Sequence, residues 1–333
     1  DEASWREWFF ATVATKEDEI YLRTDKQGKA ASALLMQPYT MRYADTDVPT
    51  AYISCVGTLP ESRSQGLASK LVADAMADAR RRGIAMCELI PAEEHLFFFY
   101  SHLRFATIFY TDRQRYTSLH TFPDGRGGLT EPSFELFHKL ELEHGSIILH
   151  TEEDYANILA DMALDGGDII LAATDEDGFS AMLFATADGE EEVKVKCLLG
   201  KSKYAIRTVL KELRRRVGEK AITVYGPPES GDKAFLHPYG MARIINPQPF
   251  LRALASAHPA LKLTIRLSDT DIPKNSGVYT IADGECTFAP WAEGHFDLDI
   301  AADTLAAILF SSHRTGEIFD VPARRPYMAL MLD

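Results

Sequence analysis

The chain has 333 residues, with 35 Lys+Arg against 49 Asp+Glu and a formal net charge of −14. Hydrophobic residues at 46% and charged residues at 25% exclude a disordered, collagen-like or coiled-coil chain, and the length predicts two or three domains. The acidity disfavours nucleic acid, whose phosphates need positive surface, and permits a cationic substrate. It is uneven: residues 131–192 hold 17 acidic side chains and one basic one, Lys139. The plain reading of that block is a solvated domain face; the functional one is a patch that steers cations. Cys55, Cys87, Cys197 and Cys286 are scattered without metal-ligand spacing, so no metal is predicted and a reducing cytoplasm fits. No apolar run approaches the ~18 residues of a membrane span. No secretion leader is legible at the start, which opens on Asp1 rather than Met.

In chain order, residues 4–13 read as a helix. Two antiparallel strands follow around a Gln27-Gly28 turn, the second being AASALLMQPYTMRYA. VPTAYISCVGTL is a mostly apolar strand ending at Pro60, predicted buried on both faces. A helix over about 65–82 carries Leu67, Leu71, Ala75 and Ala79 every fourth residue, Arg80–Arg82 in its last turn and Gly83 as its cap. IAMCELIPA is a buried strand, and LFFFYSHLRFATIFY a short helix and a strand. The Gly- and Pro-rich stretch 122–132 marks a boundary. Helices near 133–144, 152–164 and 202–217 then mix with strands near 168–174, 179–187, 193–199 and 221–227. A second boundary is expected at 227–238. Helix 247–257, strands near 261–268, 277–281, 286–289 and 295–299, helix 301–310 and the tail PARRPYMALMLD complete the chain.

The chemistry-bearing stretch is Val56–Ser69, VGTLPESRSQGLAS, read as strand, turn and helix start. Arg63-Ser64-Gln65-Gly66-Leu67-Ala68 fits R/Q-x-x-G-x-G/A. Unpartnered N–H groups in a helix's first turn, together with its dipole, form a natural pyrophosphate cradle. Gly66 admits a phosphate close to the backbone, Ala68 keeps the next turn slim, and Arg63 can add a charged hydrogen bond.

With that motif between a buried strand and an amphipathic helix, the sequence resembles the GNAT N-acetyltransferase superfamily. The resemblance implies that Arg63, Ser64, Gln65, Gly66, Leu67, Ala68 and Ser69 hold the pyrophosphate of acetyl-coenzyme A. It implies that Val56, Gly57 and Thr58 pair with the pantetheine arm, and that the next strand splays away. FYSHLRF looks like the FY-x-x-x-GF element, with Arg104 where that element has glycine. Over nearly its full length the chain resembles the bacterial enhanced-intracellular-survival (Eis-type) branch: PYTMRYADTDVPTAYISCVGTLPESRSQGLASKL is similar to the first-domain core, and PYGMARIINPQPFLRAL and RRPYMALMLD to the limits of the third domain.

The implied fold is α+β: a GNAT domain (1–128) with a mixed central sheet flanked by helices, a second, degenerate GNAT-like domain (129–240), and a sterol-carrier-like α/β domain (241–333). CLLGKSKYAIR replaces the phosphate loop in the middle region, so no cofactor is expected there. The resemblance assigns Tyr100 as general acid toward the coenzyme A thiolate and the α-carboxylate of Asp333 as general base. Glu88, Glu93 and His95 are reserve bases, and Tyr100, in a run of aromatics, also reads as core. The implied activity is acetyl transfer to a primary amine on a small cationic molecule or a lysine side chain. The implied enzyme is cytoplasmic, and a homo-oligomer is allowed. The alternative is a non-catalytic sensor or carrier that binds an acyl-coenzyme A or an apolar ligand.

Overall fold

The computed structural model describes residues 7–14, 19–164, 169–228, 236–290, 293–310, 316, 318 and 325–331. The elements run β1 (Glu19–Thr24), β2 (Ala30–Tyr43), β3 (Thr46–Thr58), α1 (Leu67–Arg81), β4 (Met86–Leu89), α2 (Glu94–His102) and β5 (Ala106–Tyr116). Then come β6 (Gly128–Thr130), α3 (Phe134–His144), β7 (Ser146–Leu149), α4 (Glu152–Leu164), β8 (Ile169–Thr174), β9 (Ser180–Asp188), β10 (Glu192–Gly200), α5 (Lys203–Val217) and β11 (Ala221–Gly226). The last are β12 (Leu236–Ile244), α6 (Pro247–Ala257), β13 (Leu263–Ser268), β14 (Gly277–Ala282), β15 (Glu285–Ala289), β16 (Leu298–Ala301) and α7 (Ala302–Leu309). Backbone contacts divide the chain into two compact units, residues 1–109 with 239–325 and residues 110–238 with 326–333.

In the first unit, β2 and β3 form a long hairpin closed at Ala44 and Asp45, both at positive φ (47° and 58°). That is the geometry a two-residue hairpin favours. β1 pairs antiparallel to β2, β4 parallel to β3, and β12 antiparallel to β4. α1 makes the crossover between the parallel strands β3 and β4 and buries Leu71, Val72, Ala75, Met76 and Ala79, the face its sequence period predicts. That face joins Leu34, Met36, Ala51, Ile53, Cys87 and Leu89 in one core. β3 itself is less buried than the sequence predicts, alternating along its second half.

A second sheet in the same unit runs β15-β14-β13-β16. It is tied to the first by buried polar groups. Arg80 donates to the Ile245 carbonyl (3.0 Å) and to Asn275 (3.3 Å). Arg243, 1% exposed, donates to the Leu103 carbonyl (2.7 Å), Asp269 (3.1 Å) and Asp271 (3.0 Å). Tyr43, Phe250 and Phe310 form an edge-to-face trio with centroids 5.4–5.5 Å apart.

The second unit repeats the strand–helix–strand crossover. β10 and β11 are parallel and joined by α5, with β9, β8 and β6 added antiparallel on one side and β5 on the other. Most of the acidic block lies here, and several of its members have structural partners. Asp154 accepts from Thr151 N (2.7 Å), Asp188 pairs with Lys194 (2.8 Å), and Glu141 is fully buried against His150.

Candidate active site

The site is built where β3 hands over to α1. The parallel ladder between β3 and β4 consists of Thr50↔Met86, Ala51↔Cys87 and Tyr52↔Glu88. Beyond Tyr52, β3 continues to Thr58 along β2, with Ser54↔Leu35, Gly57↔Ala33 and Thr58↔Ser32, while β4 ends at Leu89. One edge of Ile53–Thr58 therefore has no pairing to β4. A bulge interrupts the β2–β3 ladder between Ala33 and Leu35, opposite Cys55, whose φ is +52°. Such a bulge re-aims the backbone that follows it. Thr58 is anchored by Ser32, whose hydroxyl lies 3.0 Å from that of Thr58 and donates to the Gly57 carbonyl (2.8 Å).

The following turn leads into α1 without a side-chain cap. Gly66 is the N-cap in a left-handed conformation (φ 70°), and no side chain accepts from the first turn. A Cβ at Gly66 would meet no atom within 4 Å, so the space above this turn is open. Ser64 is also left-handed (φ 60°), and Arg63, Ser64, Gln65 and Gly66 are exposed while Leu67, Ala68 and Ser69 are half-buried. Arg63 Nε donates to the Thr58 carbonyl (3.2 Å), which keeps its guanidinium at the strand end. Unpartnered amides, a positive dipole end and an arginine make an anion seat. An unpaired strand edge leading into that seat fits a pantetheine arm carrying a pyrophosphate, so Val56–Thr58 and Arg63–Ser69 are the residues that would hold acetyl-coenzyme A.

The corresponding helix of the second unit differs. Ser202 caps α5, its hydroxyl accepting from Tyr204 N (3.1 Å) and Ala205 N (3.3 Å), and that hydroxyl donates to Asp175. The amides free in α1 are taken here, and a carboxylate stands where a phosphate would be repelled.

Tyr100 lies in the last turn of α2, whose end is a Schellman motif. Phe105 N donates to the Tyr100 carbonyl (3.2 Å), Arg104 N to the Ser101 carbonyl (3.0 Å), and Arg104 is left-handed (φ 64°). This explains why glycine suits the Arg104 position. Tyr100 packs 5.8 Å from Phe105 in the core cluster against which Val56 also rests. Burial pushes its phenol up to about 12. Structure thus brings Tyr100 and the strand edge into one cluster, with most of the tyrosine's surface in the core. Asp333 lies outside the described residues. Glu93 and His95 are exposed and pair with each other at 3.2 Å.

Glu88 has a different character. It is 0% exposed, accepts from Thr50 Oγ1 (2.8 Å), and its Oε2 has no hydrogen-bond partner. Burial pushes its carboxyl up to about 8, against the opposing hydrogen bonds of Thr50 and the Ala51 backbone. Strand alternation sets it on the face opposite Cys87 and Leu89. The sequence shows a glutamate near a strand end; nothing local in it marks the dry environment.

Among the described residues no cluster of His, Cys, Asp and Glu is arranged to hold a metal, and no helix is long and apolar enough to cross a membrane. All four cysteines are free thiols.

Residues 1–103 match the profile of the Acetyltransferase (GNAT) domain family. No curated protein matches the chain. Among solved structures, the chain is similar to a conserved protein of unknown function and probable N-acyltransferase from Enterococcus faecalis (16% identity, TM-score 0.76, covering 100% of this chain and 88% of that one). It is similar to a GCN5-related N-acetyltransferase from Anabaena variabilis (15%, 0.72, 97% and 92%) and to Eis1 from Mycobacterium abscessus (14%, 0.68, 93% and 90%). At these identities the likeness establishes the fold. The likeness of residues 1–103 to the acetyltransferase (GNAT) domain, with the mixed sheet and the strand pair that parts, marks the chain as an acyltransferase that uses acetyl-coenzyme A.

Proposed function

We propose that this protein moves an acetyl group to a primary amine, on a small cationic molecule or a lysine side chain, by direct attack. The observation that carries the reading is the unpaired edge of β3 leading into the uncapped N-terminus of α1. Acetyl-coenzyme A supplies the thioester. Val56, Gly57 and Thr58 orient its arm by backbone hydrogen bonds, and Arg63–Ser69 take the pyrophosphate. Tyr100 donates a hydrogen bond or proton to the leaving sulfur. With a phenol pushed up to about 12 it stays protonated at neutral pH, which suits a donor.

An attacking amine must lose a proton, so a base is required. The resemblance read in the sequence implies the α-carboxylate of Asp333 for that role. Glu88 is the second candidate, supported by an unpartnered carboxylate oxygen and a raised carboxyl at the last rung before the strands part. The acidic block supports a cationic acceptor, and the free thiols support a cytoplasmic setting. The sheet β15-β14-β13-β16 with α6 and α7 supports the sterol-carrier-like reading of residues 241–333. Domain boundaries near 128 and 240 belong to the same reading.

Calorimetry with acetyl-coenzyme A, followed by thiol-release assays on aminoglycosides and lysine peptides, tests it. Binding with turnover of an amine is expected. No binding by folded protein overturns the assignment, and binding without turnover of any amine favours the sensor or carrier. A short extension after Asp333 separates the bases: lost turnover with intact binding supports the terminal carboxylate, and unchanged turnover moves the role to Glu88.

A further inference from the structure

Helix α2 carries Tyr100 with little support of its own. It has nine residues, no side chain caps its start, and Tyr100 is its one fully buried residue. Leu96, Phe97 and Phe99 rest half-buried against the same core. A helix this short is marginal in isolation, and its last carbonyls have no partner within it. The carbonyl at its C-cap, Leu103, is taken up from a distant part of the chain: Arg243, on β12, donates to it from Nη1 at 2.7 Å. Leu103 N in turn donates to the Tyr100 carbonyl (2.9 Å). A guanidinium at this end of a helix makes a charge-assisted bond and also meets the negative end of the dipole.

Arg243 is itself held in place. Its Nη2 donates to Asp269 Oδ1 (3.1 Å) and its Nη1 also to Asp271 (3.0 Å), while Nε has no partner. Asp269 opens the loop between β13 and β14 and is buried. Its Oδ1 also accepts from the backbone N of Asp271 (3.1 Å) and of Ile272 (2.9 Å), and its Oδ2 from Asn275 Nδ2 (3.0 Å). Asn275, buried in the same loop, donates as well to the Ile245 carbonyl (3.1 Å) and accepts from Arg80, in the last turn of α1, at 3.2 Å. Ile272 packs against the core that holds Tyr100. One loop of the second sheet thus braces the guanidinium that grips the end of α2.

We propose that Arg243 is a positioning residue for Tyr100: braced by Asp269 and Asp271, it fixes the last turn of α2 and with it the phenol. All of these residues lie in the first unit. Desolvation offsets most of the attraction within a buried ionic network, so what this one provides is a defined geometry more than stability. Displacing a catalytic group by about 1 Å can cost about 10²-fold in rate. The catalytic consequence, though not the placement of the ring, rests on the reading of Tyr100 as donor to the leaving sulfur.

The test is fluorine NMR on the full chain labelled with 3-fluorotyrosine, the Tyr100 signal being the one lost in Tyr100→Phe. In Arg243→Lys and Asp269→Asn that signal should shift or broaden, while Tyr155 of the second unit keeps its own. Phe250→Leu, in the aromatic trio of the same unit, controls for loss of stability and should leave the Tyr100 signal in place. An unmoved Tyr100 signal in Arg243→Lys, or an equal shift in Phe250→Leu, overturns the proposal. If Arg243→Lys does not fold, Asp271→Asn decides: it alters a carboxylate that is 51% exposed and shares the same Nη1, so a smaller shift of Tyr100 is expected and none overturns. Turnover is read separately, well below melting. Arg243→Lys should lower kcat at least about tenfold with acetyl-coenzyme A affinity unchanged, and should cost nothing further when added to Tyr100→Phe. An equal loss in both backgrounds means that Arg243 does not act through the phenol and overturns the positioning. If Tyr100→Phe alone leaves kcat unchanged, the donor role of Tyr100 falls and the fluorine signal by itself upholds or overturns the placement of the ring.

Discussion

Tyr52 and Glu88 form the last rung of the ladder between β3 and β4, and the two strands part immediately beyond it. Glu88 therefore sits at the apex of the opening, dry and held by Thr50. Its carboxyl, pushed up to about 8, keeps a proton in the folded protein that the unfolded chain releases near 4.5, so stability falls as pH rises between those values. Glu88→Gln should remove that slope and melt higher than wild type at pH 8. Melting curves that track wild type across the window would count against a buried, proton-holding Glu88. If Glu88 is the base, the same variant loses about 10²–10⁴ in kcat without losing affinity for acetyl-coenzyme A.

Gly66→Glu places a carboxylate in the anion seat. We expect at least a ~100-fold loss of acetyl-coenzyme A affinity, about 2.7 kcal/mol. The left-handed φ of 70° adds strain of about 1–2 kcal/mol to folding. Calorimetry beside a melting curve separates the two, and retained affinity would mean that the pyrophosphate sits elsewhere.

Tyr100→Phe keeps the ring in its core and removes one hydroxyl. Stability should change by no more than ~1 kcal/mol, while kcat falls by about 10²–10⁴ if the phenol serves the leaving sulfur. Steady-state kinetics settle it: an unchanged kcat leaves Tyr100 as core alone.

Arg104 occupies a left-handed cap position (φ 64°) and pairs loosely with Asp303 at 3.9 Å. Glycine would remove about 1–2 kcal/mol of backbone strain and cost about 0.5–1 kcal/mol through the unfolded chain. Losing an exposed ion pair costs little. Arg104→Gly should therefore lie between neutral and ~1 kcal/mol more stable in denaturant melts, with turnover unchanged. A clear destabilisation would show that the Asp303 pair outweighs the strain.

Arg243 is the largest fully buried charged side chain, shared among Leu103, Asp269 and Asp271. Arg243→Ala strands a buried carboxylate and should cost roughly 3–5 kcal/mol in chemical denaturation. Arg243→Lys should recover only part of it, because an ammonium cannot reproduce the fork of bonds. A loss under ~1 kcal/mol would mean that water replaces the guanidinium.

Helix α1 was legible because its apolar stripe repeats with the helical period and Gly83, left-handed at φ 90°, ends it. The uncapped turn at the start of α1 was legible because Gly66 and its neighbours are contiguous. β12 was not. Its Pro238 and Gly240 read locally as a boundary, yet its partner is β4, some 150 residues away in sequence. β6 and β7, of three and four residues, are too short to display a period.

By itself, the sequence determined the α+β class, the strand–turn–helix around Gly66, and the aromatic run holding Tyr100, because each is written in neighbouring residues. Tertiary structure alone decided that the β3–β4 ladder stops at Glu88, that Glu88 is dry, and that Glu141 is buried against His150. These depend on burial and on pairing between distant segments, and a residue's dielectric surroundings are set by whatever the fold brings to it.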